Sequence, residues 1–202
     1  APANRQSAVR WLREIEPASK VALSPYLEKA AGYCDTAGTD IVMAIDLAGA
    51  FSLEQSRQIL SRARELGFPL KIHADEFDNL GGASLAAELG AVSADHLVKT
   101  SDADIAALAA SDTVAVSLPC TPFGLAEREY TPARKIIEAG GILALATDCN
   151  PGTAWNESMQ FTVSLACHKM RMTPAEALTA STINAFVVSL DAGRPEPFAT
   201  AM

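Results

Sequence analysis

Three apolar runs in this sequence lead into side chains that can bind a metal or move a proton. Phe68-Pro69-Leu70-Lys71-Ile72 leads into His73, with Asp75 and Glu76 directly after it. Ala91-Val92-Ser93-Ala94-Asp95 leads into His96, and Ile142-Leu143-Ala144-Leu145-Ala146-Thr147 into Asp148. Imidazole nitrogen and carboxylate oxygen together suit zinc, iron or manganese. An ion held by such groups lowers the pKa of its bound water from about 15.7 to about 7, which makes hydroxide available at neutral pH. A nearby carboxylate and a second imidazole can then shuttle protons. A single histidine at a strand end is ordinarily a hydrogen-bonded core residue, so the repetition at three runs is what points to a shared site. His168 stands beside Lys169 and Arg171 in a helical stretch and reads as surface. Asp75 and Asp95 have the ordinary reading of turn-forming acids. Asn150-Pro151-Gly152-Thr153 can simply turn the chain, but its backbone N–H groups at a helix start also suit a substrate carboxylate.

The elements that must position these groups alternate between strand and helix. Strands are expected over 40–47, 69–72, 91–94, 113–118 and 142–146, each a continuous apolar run, as in a parallel sheet covered on both faces. Helices are expected over 53–66, 83–89, 103–110, 132–139 and about 157–170. Ser52 with Gln55, Ser101 or Asp102, and Thr173 with Glu176 are start signals; Gly67, Gly90 and Gly140 are stop signals. Pro119 to Leu125 reads as loop, and a last helix opens at Thr173-Pro174. Five β–α units in succession predict a parallel sheet with right-handed crossovers. Their spacing fits a partial TIM-like (β/α) barrel in one domain. Residues 1–39 are expected to form N-terminal helices, 40–190 the β/α units, and 191–202 a loose tail. A doubly wound open sheet is the alternative, but no GxGxxG follows the first strand. Five units do not close an eight-stranded barrel.

Bulk properties exclude several functions. Of the 202 residues 49% are hydrophobic, enough for one sizeable core. The net charge of −8 without a basic cluster argues against nucleic acid. No apolar run is long enough for a membrane span, and no signal peptide is visible. Cys34, Cys120, Cys149 and Cys167 are widely spaced, which predicts reduced thiols and a cytoplasmic setting. Cys120 and Cys149 lie just past apolar runs and either line a pocket or act as small hydrophobes.

The motifs Ile72-His73-Ala74-Asp75-Glu76, Ser93-Ala94-Asp95-His96-Leu97 and Ala146 through Thr153 resemble those of imidazolonepropionases, in the amidohydrolase superfamily. Phe51-Ser52-Leu53-Glu54-Gln55-Ser56 and the stretch from Cys167 to Leu178 add to the likeness, which covers roughly residues 50 to 186. The resemblance implies a metal-dependent hydrolase of a cyclic amide, which opens 4-imidazolone-5-propanoate to N-formimidoyl-L-glutamate in histidine degradation. It implies one zinc or iron ion in a barrel, with His73 and Asp148 as metal ligands. Glu76 contacts substrate and helps activate water, and His96 assists proton transfer or polarises the ring carbonyl. Asn150, Gly152 and Thr153 hold the propanoate end. The family's N-terminal His-x-His pair, small β-rich domain and first barrel strands have no counterpart here. The expected form is thus the C-terminal part of a barrel, with weak metal binding and little activity alone. It would associate with a small-molecule substrate and, through open sheet edges, with a second copy or the missing N-terminal half. Two other readings stay open: a related deaminase or cyclic-amide hydrolase, and a non-catalytic self-associating β/α module.

Overall fold

The computed structural model describes residues 43–46, 51–65 and 68–191, with 43–46 and 189–191 described through their backbone only. The N-terminal helices expected over 1–39 and the tail beyond Asp191 lie outside the described residues. Five parallel strands form the sheet: β1 Met43–Asp46, β2 Leu70–Ala74, β3 Ser93–His96, β4 Val114–Ser117 and β5 Leu143–Leu145. Their order in space is their order in sequence. Each crossover steps to the adjacent position and the direction never reverses, so there is no switch point of the kind a doubly wound sheet has. Right-handed crossovers of this type stack the helices against one face, as in a barrel wall. The fold is a partial TIM-like barrel.

That helix-covered face holds the main core. Leu70, Ile72, Ala74, Ala94, Ala115, Leu143 and Leu145 pack with apolar residues of the flanking helices. The helices are α1 Leu53–Glu65, α2 Gly82–Leu89, α3 Asp102–Ala109, α4 Cys120–Gly124, α5 Ala133–Glu138, α6 Met159–Lys169, α7 Pro174–Ser181 and α8 Ile183–Asp191. Half of them start at a capping side chain: Ser52, Ser101, Ser158 and Thr173. Ser52 and Gln55 exchange backbone and side-chain hydrogen bonds ahead of α1. Ser101 with Asp104 and Thr173 with Glu176 form full capping boxes. Gly90 ends α2 in the left-handed conformation, at φ 64°.

The opposite face is polar at one side of the sheet and apolar at the other. In β2 alternate residues are buried, which turns Lys71 and His73 away from the main core. Lys71 Nζ lies 3.5 Å from Asp95 Oδ2 on β3, and Ser93 Oγ donates to Asp95 Oδ1 at 2.6 Å. Toward β4 and β5 the same face is apolar, where Val114, Val116, Leu118 and Ala144 cluster with Val188 of α8.

Several boundaries differ from expectation for a physical reason. β3 was expected over 91–94, but it runs from Ser93 to His96. Polar residues normally mark a strand's end, yet Asp95 stays in the ladder because the face it enters supplies Lys71 and Ser93 as partners. β2 likewise continues through His73 to Ala74. Residues 120–124, expected as loop, form the short helix α4. The single helix expected after Thr173 is split at Thr182 into α7 and α8.

Candidate active site at the strand ends

The parallel sheet carries all its C-terminal strand ends to one rim, and the candidate groups collect there. β2 and β3 are in register with His73 opposite Asp95 and Ala74 opposite His96. The His73 and His96 rings meet edge to face with centroids 4.8 Å apart. Glu76 Oε2 lies 3.7 Å from His96 Nε2. His73, Glu76 and His96 each offer a ligand atom, and these atoms all lie within 4.8 Å of one another. Two imidazoles and a carboxylate at that spacing fit a borderline divalent ion such as zinc or iron. Glu76 and His96 are buried and His73 half-buried, so a charge there meets little competing water.

Left-handed backbone marks the same places. Asp75 has φ 52°, His96 76°, Leu97 61° and Asp148 52°. A non-glycine residue in this region costs on the order of 1–2 kcal/mol, and three strand ends carry that strain. The surrounding hydrogen bonds hold it in place. Asp75 is 1% exposed and accepts from Leu80 N at 3.1 Å, Gly82 N at 3.2 Å, Ala83 N at 3.3 Å and Thr100 Oγ1 at 3.3 Å. It thereby caps α2, whose own N-cap, Gly81, provides no side chain for the purpose. Burial pushes its carboxyl up from the ordinary value, while the three backbone N–H groups pull it down. The loop closed by Asp75 carries Glu76 over His96. The His96 carbonyl accepts from Thr131 Oγ1 at 2.6 Å, and Thr131 Oγ1 in turn accepts from Ser117 Oγ at 2.7 Å.

Asp148 stands at the end of β5, outside the cluster of three. Its Oδ2 accepts from Thr121 Oγ1 at 2.5 Å. A cavity of about 210 Å³ reaches from Glu76 past Val98, Lys99 and Pro122 to the same Thr121. The Asn150 side chain turns back on its own loop. Its Oδ1 accepts from Gly152 N at 2.8 Å and Thr153 N at 2.9 Å, and its Nδ2 donates to the Asp148 carbonyl at 2.7 Å. His168 is exposed on α6, as expected. Cys120 is buried and Cys149 exposed, and among the described residues Cys120, Cys149 and Cys167 are free. The hydroxyls of Ser117, Thr121 and Thr131 gave no signal in the sequence, because their partners lie 14 to 35 residues away.

A parallel sheet wound in sequence order, with histidines and acids at its strand ends, is the arrangement of metal-dependent amidohydrolases. The amidohydrolase family matches residues 12–191, and the chain belongs to that family. Within it, the chain is 61% identical over 136 residues to the imidazolonepropionase of Herpetosiphon aurantiacus, which covers 67% of this chain and 32% of that one. It is 44% identical over 177 residues to the imidazolonepropionase of Bacillus cytotoxicus, covering 87% and 38%. The chain thus spans about a third of the length of the curated relatives it matches. Among solved structures, a zinc-bound adenosine deaminase from Xanthomonas campestris superposes with a TM-score of 0.65 at 18% identity, over 85% of this chain and 45% of that one. A 5-methylcytosine deaminase from Klebsiella pneumoniae, liganded with 5-fluorocytosine, gives 0.64 at 17%, over 83% and 48%. At such identities the likeness carries the fold alone.

Proposed function

We propose that this chain provides part of the active site of an imidazolonepropionase-type hydrolase, acting on 4-imidazolone-5-propanoate in the cytoplasm. The observation that carries the reading is the meeting of His73, Glu76 and His96 at adjacent strand ends. Its support is the identity with imidazolonepropionases over the residues that contain them.

In this reading His73 and Asp148 hold one zinc or iron ion, which when bound supplies Lewis-acid polarisation and acidifies water. Glu76 takes the proton from the attacking water as oxygen adds to the ring carbonyl carbon. His96, 3.7 Å from Glu76, stabilises that carboxylate and passes the proton toward the ring nitrogen as the C–N bond breaks. Asn150, Gly152 and Thr153 receive the propanoate. Asn150 Oδ1 accepts from the Gly152 and Thr153 N–H groups, and so holds the loop in the shape that would meet the propanoate.

The close grouping of Glu76 with both histidines favours a second ligand set, His73–Glu76–His96, and metal content separates the two. With the assignment above, His73→Ala and Asp148→Asn lower bound zinc or iron, while Glu76→Gln leaves it in place. Loss on Glu76→Gln with no effect of Asp148→Asn selects the second set. With only two of its ligands in this chain, metal binding is expected to be weak and turnover of 4-imidazolone-5-propanoate low. Substrate choice is tested by Asn150→Ala. If discrimination for the carboxylate-bearing ring survives it, the propanoate assignment fails, and a deaminase or other cyclic-amide hydrolase takes precedence.

Among the described residues β1 and β5 each pair on one side only, which supports association through these edges with a second copy or with a segment that completes the barrel. Light scattering that gives a monomer at high concentration counts against self-association.

A further inference from the structure

The unit built on β4 contributes no histidine or acid to the strand-end cluster, yet it holds Asp148. Thr121 is 1% exposed and sits in α4, directly after β4. Its hydroxyl reaches Asp148 Oδ2 at 2.5 Å, the length of a charge-assisted bond. The short helix that carries the donor is held at both ends. Asn156 Nδ2 donates to the Cys120 sulfur at 3.1 Å, and the same sulfur lies 3.3 Å from Thr162 Oγ1. At the other end of α4, Gly124 approaches the Asp148 loop so closely that a Cβ there would stand 2.1 Å from the Thr153 carbonyl oxygen. Asp148 itself is held at φ 52°, a conformation that persists only where its surroundings over-determine it.

We infer that Thr121 is a positioning residue, whose hydroxyl orients the Asp148 carboxylate by occupying Oδ2 and leaving Oδ1 directed to its own task. An ionised carboxylate offers about four acceptor sites on two oxygens. Without a fixed donor it rotates about its terminal torsion, which is broad. One short bond to an immobile hydroxyl selects a single orientation. Thr121 also lines the cavity that reaches Glu76, so the group that orients Asp148 forms part of the wall a small molecule would meet.

The inference rests on the reading of Asp148 as a metal ligand, and the test separates the two. Zinc affinity of the purified chain is measured by competition with a chromophoric chelator for wild type, Thr121→Val, Thr121→Ser, Asp148→Asn and His73→Ala. Urea midpoints of the metal-free proteins are recorded alongside. Loss of a hydrogen-bonded partner behind a metal ligand typically weakens affinity about 10–100-fold. Thr121→Val, which keeps the shape and loses the donor, is expected to fall in that range, and Thr121→Ser to stay near wild type. If Thr121→Val binds zinc like wild type while Asp148→Asn does not, the positioning role is overturned and the metal reading stands. Equal loss in both Thr121 variants overturns the role of the hydroxyl. If neither Asp148→Asn nor His73→Ala weakens zinc, or wild type binds none, the metal reading fails and this inference falls with it.

Discussion

Replacing Asp75 by alanine tests whether one buried carboxylate builds the loop that carries Glu76. Asp75 accepts from Leu80, Gly82 and Ala83 backbone N–H groups and from Thr100. In Asp75→Ala the Leu80 amide can turn to water, since Leu80 is exposed, but Gly82 and Ala83 are buried. Each of those two donors loses about 1–3 kcal/mol when left without a partner. Loss of a negative charge at the start of α2 adds about 0.3–1 kcal/mol. Relief of the burial cost of the carboxylate offsets part of this, so a net loss of about 3 kcal/mol is expected. Asp75→Asn keeps one acceptor oxygen and is expected to lose about half as much. Urea unfolding followed by circular dichroism measures both, and amide exchange at Gly82 and Ala83 should speed up in the alanine variant. A change under about 1 kcal/mol in Asp75→Ala, with Gly82 and Ala83 still protected, refutes the capping role.

Other predictions follow from single contacts. Arg134 on α5 makes two hydrogen bonds to Glu176 at the start of α7, one of them Nη1 to Oε1 at 3.0 Å. That side-chain bond, with help from Thr173, lowers the Glu176 carboxyl from 4.5 to about 2. Because the folded value lies below the unfolded one, the staple stabilises fully above pH 4.5 and is lost as pH falls through about 2; the melting-temperature gap between wild type and Glu176→Gln should therefore close across that window. Gly124→Ala drives a Cβ into the Thr153 carbonyl and is expected to cost about 1–3 kcal/mol in chemical denaturation, whereas the same change at Gly90 meets no neighbour and carries only the penalty of its positive φ. Thr131→Val removes the donor to the His96 carbonyl and the acceptor for Ser117, a loss of about 1–3 kcal/mol by urea midpoint. Leu60, fully buried in the main core, should lose about 2–5 kcal/mol on change to alanine.

Local chemistry wrote much of this molecule into the sequence. The capping boxes at Ser101 and Thr173 and the glycine stop at Gly90 act within three or four residues, so their residue types suffice to place helix ends. The apolar runs gave the five parallel strands, and their endings at His73, His96 and Asp148 identified one rim, because a parallel sheet sends every C-terminal strand end the same way. What the runs could not give was the extent of β3. Whether Asp95 ends a strand or continues it depends on Lys71, 24 residues earlier in the chain, and on the face it enters.

The finer shape of the candidate site belongs to tertiary structure alone. The sequence offered two uses for Asn150, Gly152 and Thr153, a turn or an anion cradle, and the fold draws Asn150 Oδ1 onto both N–H groups of its own loop. Likewise, the family resemblance paired His73 with Asp148, while register between adjacent strands brings His73 to His96 and the loop closed by Asp75 brings Glu76 to both. The donors that hold these groups, Thr121 on Asp148 and Thr131 on the His96 carbonyl, are threonines with no local pattern. Hydroxyls become legible only through their partners, and those partners meet only when distant strands pack side by side.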